Sequence, residues 1–293
     1  MPQPGAAYPT WVGSLRRRVP APRALASYPA AVRLQGELAL VTGSTSGIGK
    51  AIALAYAAEG ARVAVHGRHE GRGGAVVDEI AAAGGAAVFL GADLGTEPAC
   101  TGLVADAVGA LGGLTVLVNN AVASVVASSA EGGHDAAVAD LETAVWEATL
   151  RVNVTAPMWL CRAAIPHLRA AGHGSIINIS SRQGERPSAG LAAYATSKGA
   201  LNALTRAIAV EEAPHKIRCT TISPGYVFNE RRDADMTDER RARLEAMHLT
   251  RLGEAADVAH AAVYLASSES EFLTGINLQL DGGGSIARAS SLG

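Results

Sequence analysis

The sequence predicts an α/β fold built on a parallel sheet of about seven strands, with helices on both faces. Runs rich in Val, Ile and Leu recur along the chain, as expected of strands that are covered on both sides. Helical patterns fill the gaps, and this alternation indicates parallel strands joined by right-handed crossovers. The 293 residues are 48% hydrophobic but only 4% aromatic, which suits one large aliphatic core.

Seven segments are strand candidates. They cover residues 38–42, 62–66, 87–91, 114–119, 175–180, 217–222 and 276–280. A helix is expected over 190–212. Ligands of such sheets bind beyond the carboxyl ends of the strands. Because Gly43, Asn119 and Ser181 all fall at such ends, three distant parts of the sequence are expected to meet in one crevice.

The stretch TGSTSGIG at 42–49 joins the first strand to the helical pattern KAIALAYAAEG. Gly43, Gly47 and Gly49 lack side chains where a backbone must turn tightly and approach a phosphate. A helix beginning near Ser46 offers free N–H groups and a positive dipole end to a pyrophosphate. The spacing is G-x-x-x-G-x-G rather than G-x-G-x-x-G, and many glycine triplets are ordinary turns. The position between a buried strand and an apolar-striped helix favours a dinucleotide-binding turn.

A second constellation combines Ser181, Tyr194 and Lys198. On a helix, residues four apart share a face, so Lys198 is expected beside the Tyr194 phenol. A neighbouring cation favours the phenolate and lowers its pKa, which a general acid or base requires. The alternative is a half-buried Tyr and a surface Lys on an amphipathic helix.

Composition argues against several other classes of protein. The net charge is −2, with acidic and basic residues mixed, which gives no footprint for nucleic acid. No apolar run approaches the roughly 20 residues of a membrane span. Three widely separated cysteines and eight scattered histidines show no disulfide or metal-ligand spacing. We therefore expect no metal and a reducing, cytoplasmic setting.

From about Leu34 to Ser285 the chain resembles the short-chain dehydrogenase/reductase family in its single-domain, Rossmann-type form. The motifs are TGSTSGIG at 42–49, Asp93-Leu94, NNA at 119–121, Asn153 in RVNV, Ser181, Tyr194 with Lys198, SPG at 223–225, RLGEAADVA at 251–259 and FLTGINLQLDGG at 272–283. Their joint order and spacing, rather than any one of them, carry the resemblance.

The resemblance implies hydride transfer between the nicotinamide of NAD(P) and a small-molecule carbonyl or alcohol. Tyr194 would exchange the proton, Ser181 would hold the oxygen, Lys198 would lower the tyrosine pKa and bind the ribose, and Asn153 would hold a water. The implied cofactor-binding residues are Gly43, Ser44, Thr45, Ser46, Gly47, Ile48, Gly49, Arg68, Asp93, Leu94, Asn120, Ala121, Tyr194, Lys198, Pro224, Gly225 and Val227. A homodimer or homotetramer is also implied, with the helix of Tyr194 at the interface.

Cofactor choice depends on the end of the second strand, VAVHGRHEGR. A site selective for NAD needs a carboxylate there, to accept from the ribose 2′-OH and repel a 2′-phosphate. Gly67 takes that place and Arg68 follows, which favours NADP because an Arg can clamp a phosphate. NAD remains possible, since Arg68 can equally be a solvated surface residue. Ser46 also stands where many NADP-dependent relatives carry a second basic residue.

Three features depart from the family pattern. Val122 follows NNA where Gly is usual, the segment from Asn120 to Asn153 is longer than common, and Asn229 stands near the usual position of a Thr that contacts the nicotinamide amide. The extra segment SSAEGGHDAAVAD is rich in Gly, Ser and Ala, which predicts a loop.

Substrate identity is not readable from the sequence. Residues 226–250 include a charged, helical-looking stretch that contains Arg231, Arg232, Arg240 and Arg241. These arginines either attract an anionic substrate or carrier, or form a solvated face balanced by nearby acids. A ketone or secondary alcohol is the first expectation. A 3-oxoacyl thioester, and a non-catalytic NADP-sensing role on the same fold, are the alternatives.

The first 33 residues differ from the remainder, which is expected to be one catalytic domain over 34–293. They contain Arg16-Arg17-Arg18 and many prolines, but no apolar stretch follows the arginines, so a flexible tail is favoured over an export signal.

Overall fold

The computed structural model describes residues 32–123, 134–229 and 232–287. Its seven-stranded parallel sheet has the order β3-β2-β1-β4-β5-β6-β7. The strands are β1 (Leu38–Val41), β2 (Arg62–Gly67), β3 (Ala86–Gly91), β4 (Val116–Asn119), β5 (Gly174–Ile179), β6 (Ile217–Pro224) and β7 (Asn277–Leu280). All seven predicted strands are confirmed, each with bounds within about two residues of those observed.

Helices connect the strands. They are α1 (Gly47–Ala58), α2 (Glu70–Ala82), α3 (Glu97–Leu111), α4 (Thr143–Leu150), α5 (Ala156–Ala171), α6 (Ala192–Glu212), α7 (Asp238–Glu245) and α8 (Ala255–Ala266). A π-helical turn at Arg151–Thr155 joins α4 to α5. The helix predicted over 190–212 is confirmed as α6, whereas the charged stretch after β6 is helical only in the short α7.

Two apolar cores lie on opposite faces of the sheet, as the doubly wound prediction requires. One contains Ile52 of α1, Ile80 of α2 and Val263 of α8, and the other contains Leu103 of α3 and Leu160 of α5. Alternate strand residues contribute to opposite faces. In β1, for example, Ala39 and Val41 belong to the first core and Leu40 to the second.

The strand order places a switch point between β1 and β4. The chain winds from β1 toward β3 on one side and from β4 toward β7 on the other. The loops that leave β1 and β4 therefore diverge and open a crevice at the carboxyl edge, where such folds bind ligands.

Most of the predicted N-terminal extension, residues 1–31, lies outside the described residues, as does the middle of the long segment after β4. Arg33 belongs to the folded part of the chain, because its main-chain N–H and its guanidinium both bond to the Glu59 carboxylate. Among the described helices, none combines the length and apolarity needed to cross a membrane.

Two neighbouring glycines of α2 give a matched test of core packing. A Cβ on Gly73 would overlap the ring of Phe89 in β3, whereas a Cβ on Gly74 would meet open space. We expect Gly73→Ala to lower the free energy of unfolding by about 1–3 kcal/mol through overpacking. Gly74→Ala should raise it by up to about 1 kcal/mol, because Ala loses less backbone entropy. Urea unfolding of both variants measures these free energies. Equal effects of the two substitutions would contradict the close packing of Gly73 against Phe89.

Candidate active site

The glycine-rich loop folds back onto the end of β4. Gly43 and Gly47 have positive φ angles of 64° and 54°, which side chains other than Gly rarely adopt. A Cβ on Gly43 would lie 2.9 Å from the Ala121 Cα, and one on Gly49 would overlap the Gly43 carbonyl oxygen and the Asn120 amide. The loop is thus a bare backbone cradle, and only glycine fits at its close approaches.

The N-terminus of α1 opens into this cradle. Ser46 is its N-cap residue, in extended conformation, and its side chain makes no capping hydrogen bond. A pyrophosphate fits this arrangement, because first-turn N–H groups and the helix dipole favour an anion. Predicted residues Thr45, Ser46 and Ile48 line the same turn and are at least partly exposed.

Side chains that directly follow β1 and β4 hold the loop in shape. Asn120 Nδ2 donates to the carbonyls of Thr42 (2.9 Å) and Gly43 (3.1 Å). The Thr42 hydroxyl accepts from the N–H groups of Asn120 (3.0 Å) and Ala121 (3.1 Å). Ser44 is fully buried, donates to the Val41 carbonyl and accepts from the main chain of β2. Ser44 and Asn120 therefore shape the cradle through hydrogen bonds to the loop and its supporting strands.

His66 of β2 supports the cradle through a hydrogen bond, a role that the sequence did not predict. The Gly43 N–H donates to its Nδ1 at 3.1 Å, and its Nε2 lies 3.2 Å from the Ala92 carbonyl. A carbonyl can only accept, so Nε2 carries the proton and the ring is neutral. Burial lowers the pKa of His66 to about 4. Only its place at the end of β2, beside Gly67, hinted at a part in the site.

The remaining predicted cofactor residues flank this cradle. Arg68 is exposed, and no ion pair engages it within the described part of the chain. Gly67 is tightly packed, because a Cβ there would lie 2.5 Å from the Thr45 methyl. Asp93 is exposed and its carboxylate accepts from the Gly95 N–H, while Leu94 packs in the core.

The segment after β6 closes against the same crevice. The Gly225 N–H donates to the Leu280 carbonyl of β7, and a Cβ on Gly225 would lie 2.8 Å from the Asp281 Cα. Val227, three residues beyond Pro224, forms an isolated bridge with Gly253. Asn229 reaches the glycine loop, since its Nδ2 lies 2.7 Å from where a Cβ on Gly47 would be. The expected contact of Asn229 with the nicotinamide amide stays a prediction.

Ser181, Tyr194 and Lys198 meet beside this crevice, as predicted. Ser181 follows β5, and its hydroxyl lies near enough to the phenol of Tyr194 to lower the pKa of that phenol. Lys198 follows Tyr194 by one turn of α6, with Nζ 5.6 Å from the centre of the phenol ring. The lysine is buried, and Nζ donates to the Ile179 carbonyl at 2.8 Å. The spacing of four residues thus produces the shared face that was expected.

The prediction that Lys198 lowers the pKa of Tyr194 is wrong for this structure. Burial raises the pKa of Tyr194, and the opposing influences are the hydrogen bond from Ser181 and the positive charge of Arg232. Burial also lowers the pKa of Lys198, to about 8. The ammonium is therefore partly neutralised at mildly alkaline pH and is directed at a backbone carbonyl rather than at the phenolic oxygen.

Asn153 lies in the π-helical turn and links the crevice to α6. Its Oδ1 accepts from the Ala123 N–H at 2.9 Å, and its Nδ2 donates to the Ser197 hydroxyl at 3.1 Å. The Ser197 hydroxyl donates in turn to the Tyr194 carbonyl at 2.7 Å. π-Helical turns are frequent at functional sites, and this one aims a buried amide at the helix that carries Tyr194.

On the outer side of the crevice, Asp233 organises the segment after β6. It accepts from the Tyr226 hydroxyl (2.6 Å) and from the Asn229 N–H (2.9 Å), and it pairs with Arg232 (2.7 Å). The Arg232 guanidinium lies 4.7 Å from the centre of the Tyr226 ring. Hydrogen bonds from Arg232 and Tyr226 outweigh the effect of burial and lower the pKa of Asp233 to about 2. Asp233 is one of the acids that the sequence pattern offers as charges balancing the nearby arginines, and its hydrogen bonds could not be read from that pattern.

No group of three or more His, Cys, Asp or Glu side chains within residues 32–123, 134–229 and 232–287 could hold a metal ion. Cys100, Cys161 and Cys219 are buried free thiols. The arrangement provides a backbone cradle suited to an anion, a partly buried phenol near a hydroxyl, and a buried amine at one sheet edge.

A family model described as short chain dehydrogenase matches residues 37–242. The chain belongs to this family. It is 37% identical over 254 residues to 2,5-dichloro-2,5-cyclohexadiene-1,4-diol dehydrogenase of Sphingobium indicum, covering 87% of this chain and 98% of that protein. As relatives of this kind are dehydrogenases and reductases, this short-chain dehydrogenase is an oxidoreductase acting on CH–OH or C=O groups.

Solved structures of other family members match the fold closely. One is the 3-oxoacyl (acyl-carrier-protein) reductase of Agrobacterium tumefaciens with NADP bound (TM-score 0.80, 30% identity, 89% of this chain and 99% of that chain). Another is 7α-hydroxysteroid dehydrogenase with NADH and 7-oxo glycochenodeoxycholic acid (TM-score 0.79, 30% identity, 87% and 97%). The short-chain dehydrogenase fold therefore occurs with either nicotinamide dinucleotide.

The neutral state of His66 predicts a pH dependence of stability. The pKa of His66 is about 4 in the folded protein against 6.5 for an ordinary histidine. Between these values only the unfolded chain takes up the proton, so stability is full above pH 6.5 and falls as the pH approaches 4. Linkage puts the loss at about 3 kcal/mol.

Urea unfolding from pH 7.5 to 4 would measure this loss against His66→Asn, whose Oδ1 can replace the Nδ1 acceptor without titrating. The variant should lose less stability over this range than the parent protein. Parallel pH curves for the two proteins would show that His66 is not held neutral.

Proposed function

We propose that this short-chain dehydrogenase transfers a hydride between a nicotinamide dinucleotide, with NADP(H) favoured, and a ketone or secondary alcohol, with Tyr194 as general acid and base. The observation that carries the proposal is the meeting of Ser181, Tyr194 and buried Lys198, whose Nζ lies 5.6 Å from the centre of the Tyr194 ring. This group lies at the sheet edge that also holds the glycine cradle. A proton-transfer site beside a dinucleotide site is what carbonyl reduction requires.

When bound, the dinucleotide supplies or accepts the hydride at the substrate carbon. In the reducing direction, Tyr194 gives its phenolic proton to the developing alkoxide, while the Ser181 hydroxyl holds the same oxygen. Two donors already positioned for an oxyanion lower the barrier, because they need no reorganisation as charge develops. Alcohol oxidation reverses these steps, and the phenolate takes the proton from the hydroxyl group.

Lys198 and Asn153 are proposed to relay a proton between solvent and Tyr194 after this step. Lys198 is buried with a pKa of about 8, so it can exchange a proton near neutral pH. In the bound state we assign it to the nicotinamide ribose. Asn153 is assigned to hold the water that links Lys198 to solvent. All four residues of the proposed quartet are present and buried or partly buried, which argues against a purely sensory role.

The preference for NADP(H) is argued from Gly67 and Arg68. A carboxylate selective for NAD does not fit at position 67 unless Thr45 moves. Arg68 is exposed at the end of β2 and belongs to no ion pair of the described residues. Its guanidinium can therefore donate hydrogen bonds to a 2′-phosphate. Asp93 is assigned to the adenine, and the backbone from Gly43 to Gly49 is assigned to the pyrophosphate.

The arginines after β6 favour an uncharged substrate over an anionic carrier. Arg232 is committed to Asp233, Arg241 to Glu245 and, at 3.6 Å, Arg243 to Glu239. Arg231 lies outside the described residues. Arg240 is exposed and enters no ion pair of the described residues. With Arg232 and Arg241 paired, the acyl-carrier alternative loses part of its argument from the sequence, and a medium-sized neutral ketone or secondary alcohol is preferred.

Assembly into a homodimer or homotetramer and a cytoplasmic location stay predictions. The apolar residues of α6 are divided between the protein's own core and its surface. Leu201 and Ile208 pack into the protein's own core, while Ala207 is exposed and Val210 is 78% exposed. The exposed part supplies the small and apolar surface that pairing of two α6 helices would cover.

Tyr194→Phe tests the proposed chemistry. Loss of the proton donor should lower kcat by roughly 10²–10⁴-fold, while the dissociation constant of NADPH stays within about threefold, because the phosphate cradle is intact. Initial rates would be measured with NADPH and NADH against ketones, acyl thioesters, sugars and secondary alcohols. Tyr264→Phe, on α8 at the surface, is the control. Full activity in Tyr194→Phe would contradict the assignment of Tyr194 as general acid and base.

Arg68→Ala tests the cofactor preference. A hydrogen bond to a charged group contributes about 1.5–3 kcal/mol, so the KM for NADPH should rise by at least about tenfold. The KM for NADH should not change, which makes NADH the internal control. An equal rise for both cofactors, or a parent enzyme that prefers NADH, would refute the phosphate contact.

A further inference from the structure

The N-terminus of α6 is capped from a distant part of the chain. Its local N-cap residue, Leu191, makes no side-chain capping bond. Instead, the Asp135 carboxylate accepts from the Ala193 N–H at 3.0 Å and from the Tyr194 N–H at 2.8 Å. The Ala136 carbonyl accepts from the Ala192 N–H at 3.3 Å. All three donors of the first turn are therefore satisfied by residues 135–136, more than fifty positions earlier.

This contact is stronger than an ordinary loop contact. The first N–H groups of a helix have no partner within it, and a carboxylate there both accepts their hydrogen bonds and faces the positive end of the helix dipole. Both oxygens of Asp135 are used, one for each N–H. Asp135 itself is only partly exposed. The sequence analysis had placed it in a loop with no assigned role.

The capped turn carries Tyr194. The Tyr194 N–H is held by Asp135, and its carbonyl is held by the Ser197 hydroxyl, which accepts from Asn153. The phenol must meet Ser181, which lies on a different element, after β5. The direction of the Tyr194 side chain therefore depends on the position of the first turn of α6, and Asp135 fixes that position.

We propose that Asp135 is a positioning residue for catalysis, which holds the first turn of α6 so that the Tyr194 phenol lies against the Ser181 hydroxyl and the substrate oxygen. This inference rests on the proposed function of Tyr194. It adds a residue from the long segment after β4 to the machinery of the site. Asp135 acts through Tyr194 and does not itself contact the reacting atoms.

The test compares Asp135→Ala and Asp135→Asn with Glu254→Ala. Glu254 is a matched control, because its carboxylate caps α8 by accepting a first-turn N–H but belongs to no part of the proposed site. Each variant would be assayed for kcat, for the KM of the carbonyl substrate and of the cofactor, and for Tm. Hydrogen exchange of a peptide covering residues 192–197 would be followed in parallel.

We expect Asp135→Ala to lower kcat by about tenfold or more, with the KM for the cofactor unchanged and faster exchange in residues 192–194. Asp135→Asn, which keeps one acceptor oxygen, should recover part of kcat. Glu254→Ala should lower Tm by a similar amount and leave kcat unchanged. A loss of kcat no larger than that of Glu254→Ala, or unchanged exchange at 192–194, overturns the inference.

The two proposals fail in different ways. If the parent protein turns over no carbonyl or alcohol, the proposed function fails, and with it the catalytic role of Asp135, while the exchange data still report whether Asp135 caps α6. If the parent protein is active and the Asp135 variants match the Glu254 control, only the positioning role is lost.

Discussion

The site depends on the hydrogen bonds that join Thr42, Gly43 and Asn120. They tie the exit of β1 to the exit of β4, where the chain leaves the sheet in opposite directions. The Asn120 amide also fills the space that a side chain at position 49 would need. Without this closure, the glycine loop would have neither its shape nor its distance from the residues after β4. The cradle and the group formed by Ser181, Tyr194 and Lys198 share one edge because β1, β4 and β5 are neighbours in the sheet.

Buried polar groups are costly unless they are paired, and three of those at the site are paired with the main chain. His66 receives the Gly43 N–H, Lys198 donates to the Ile179 carbonyl, and Asn153 bonds the Ala123 N–H. A main-chain partner has a fixed position, so each pairing also fixes the orientation of a side chain. This explains why Lys198 does not lower the pKa of Tyr194 here. Its ammonium is held by a carbonyl, and burial governs both groups.

The sequence was sufficient for the features that local pattern determines. Apolar runs located all seven strands, and glycine spacing located the cradle, because each signal lies within a few neighbouring residues. The spacing of four between Tyr194 and Lys198 placed them on one face of α6 for the same reason. The contacts that His66, Asp233 and Asp135 make were not predicted, because they close only in three dimensions. The direction of the Tyr194 pKa was also out of reach, since it depends on how deeply the phenol is buried.

The long segment after β4 shows how a departure from the family pattern can be accommodated at an active site. Ala123, where the described chain breaks off, bonds Asn153, and Asp135, soon after it resumes, bonds the first turn of α6. Both anchors act on Tyr194. Asn153 bonds the Ser197 hydroxyl, which donates to the Tyr194 carbonyl, and Asp135 accepts directly from the Tyr194 N–H. The N–H and the carbonyl of Tyr194 are thus both held by contacts that lead to this segment, and the placement of the proposed proton donor depends on these two anchors.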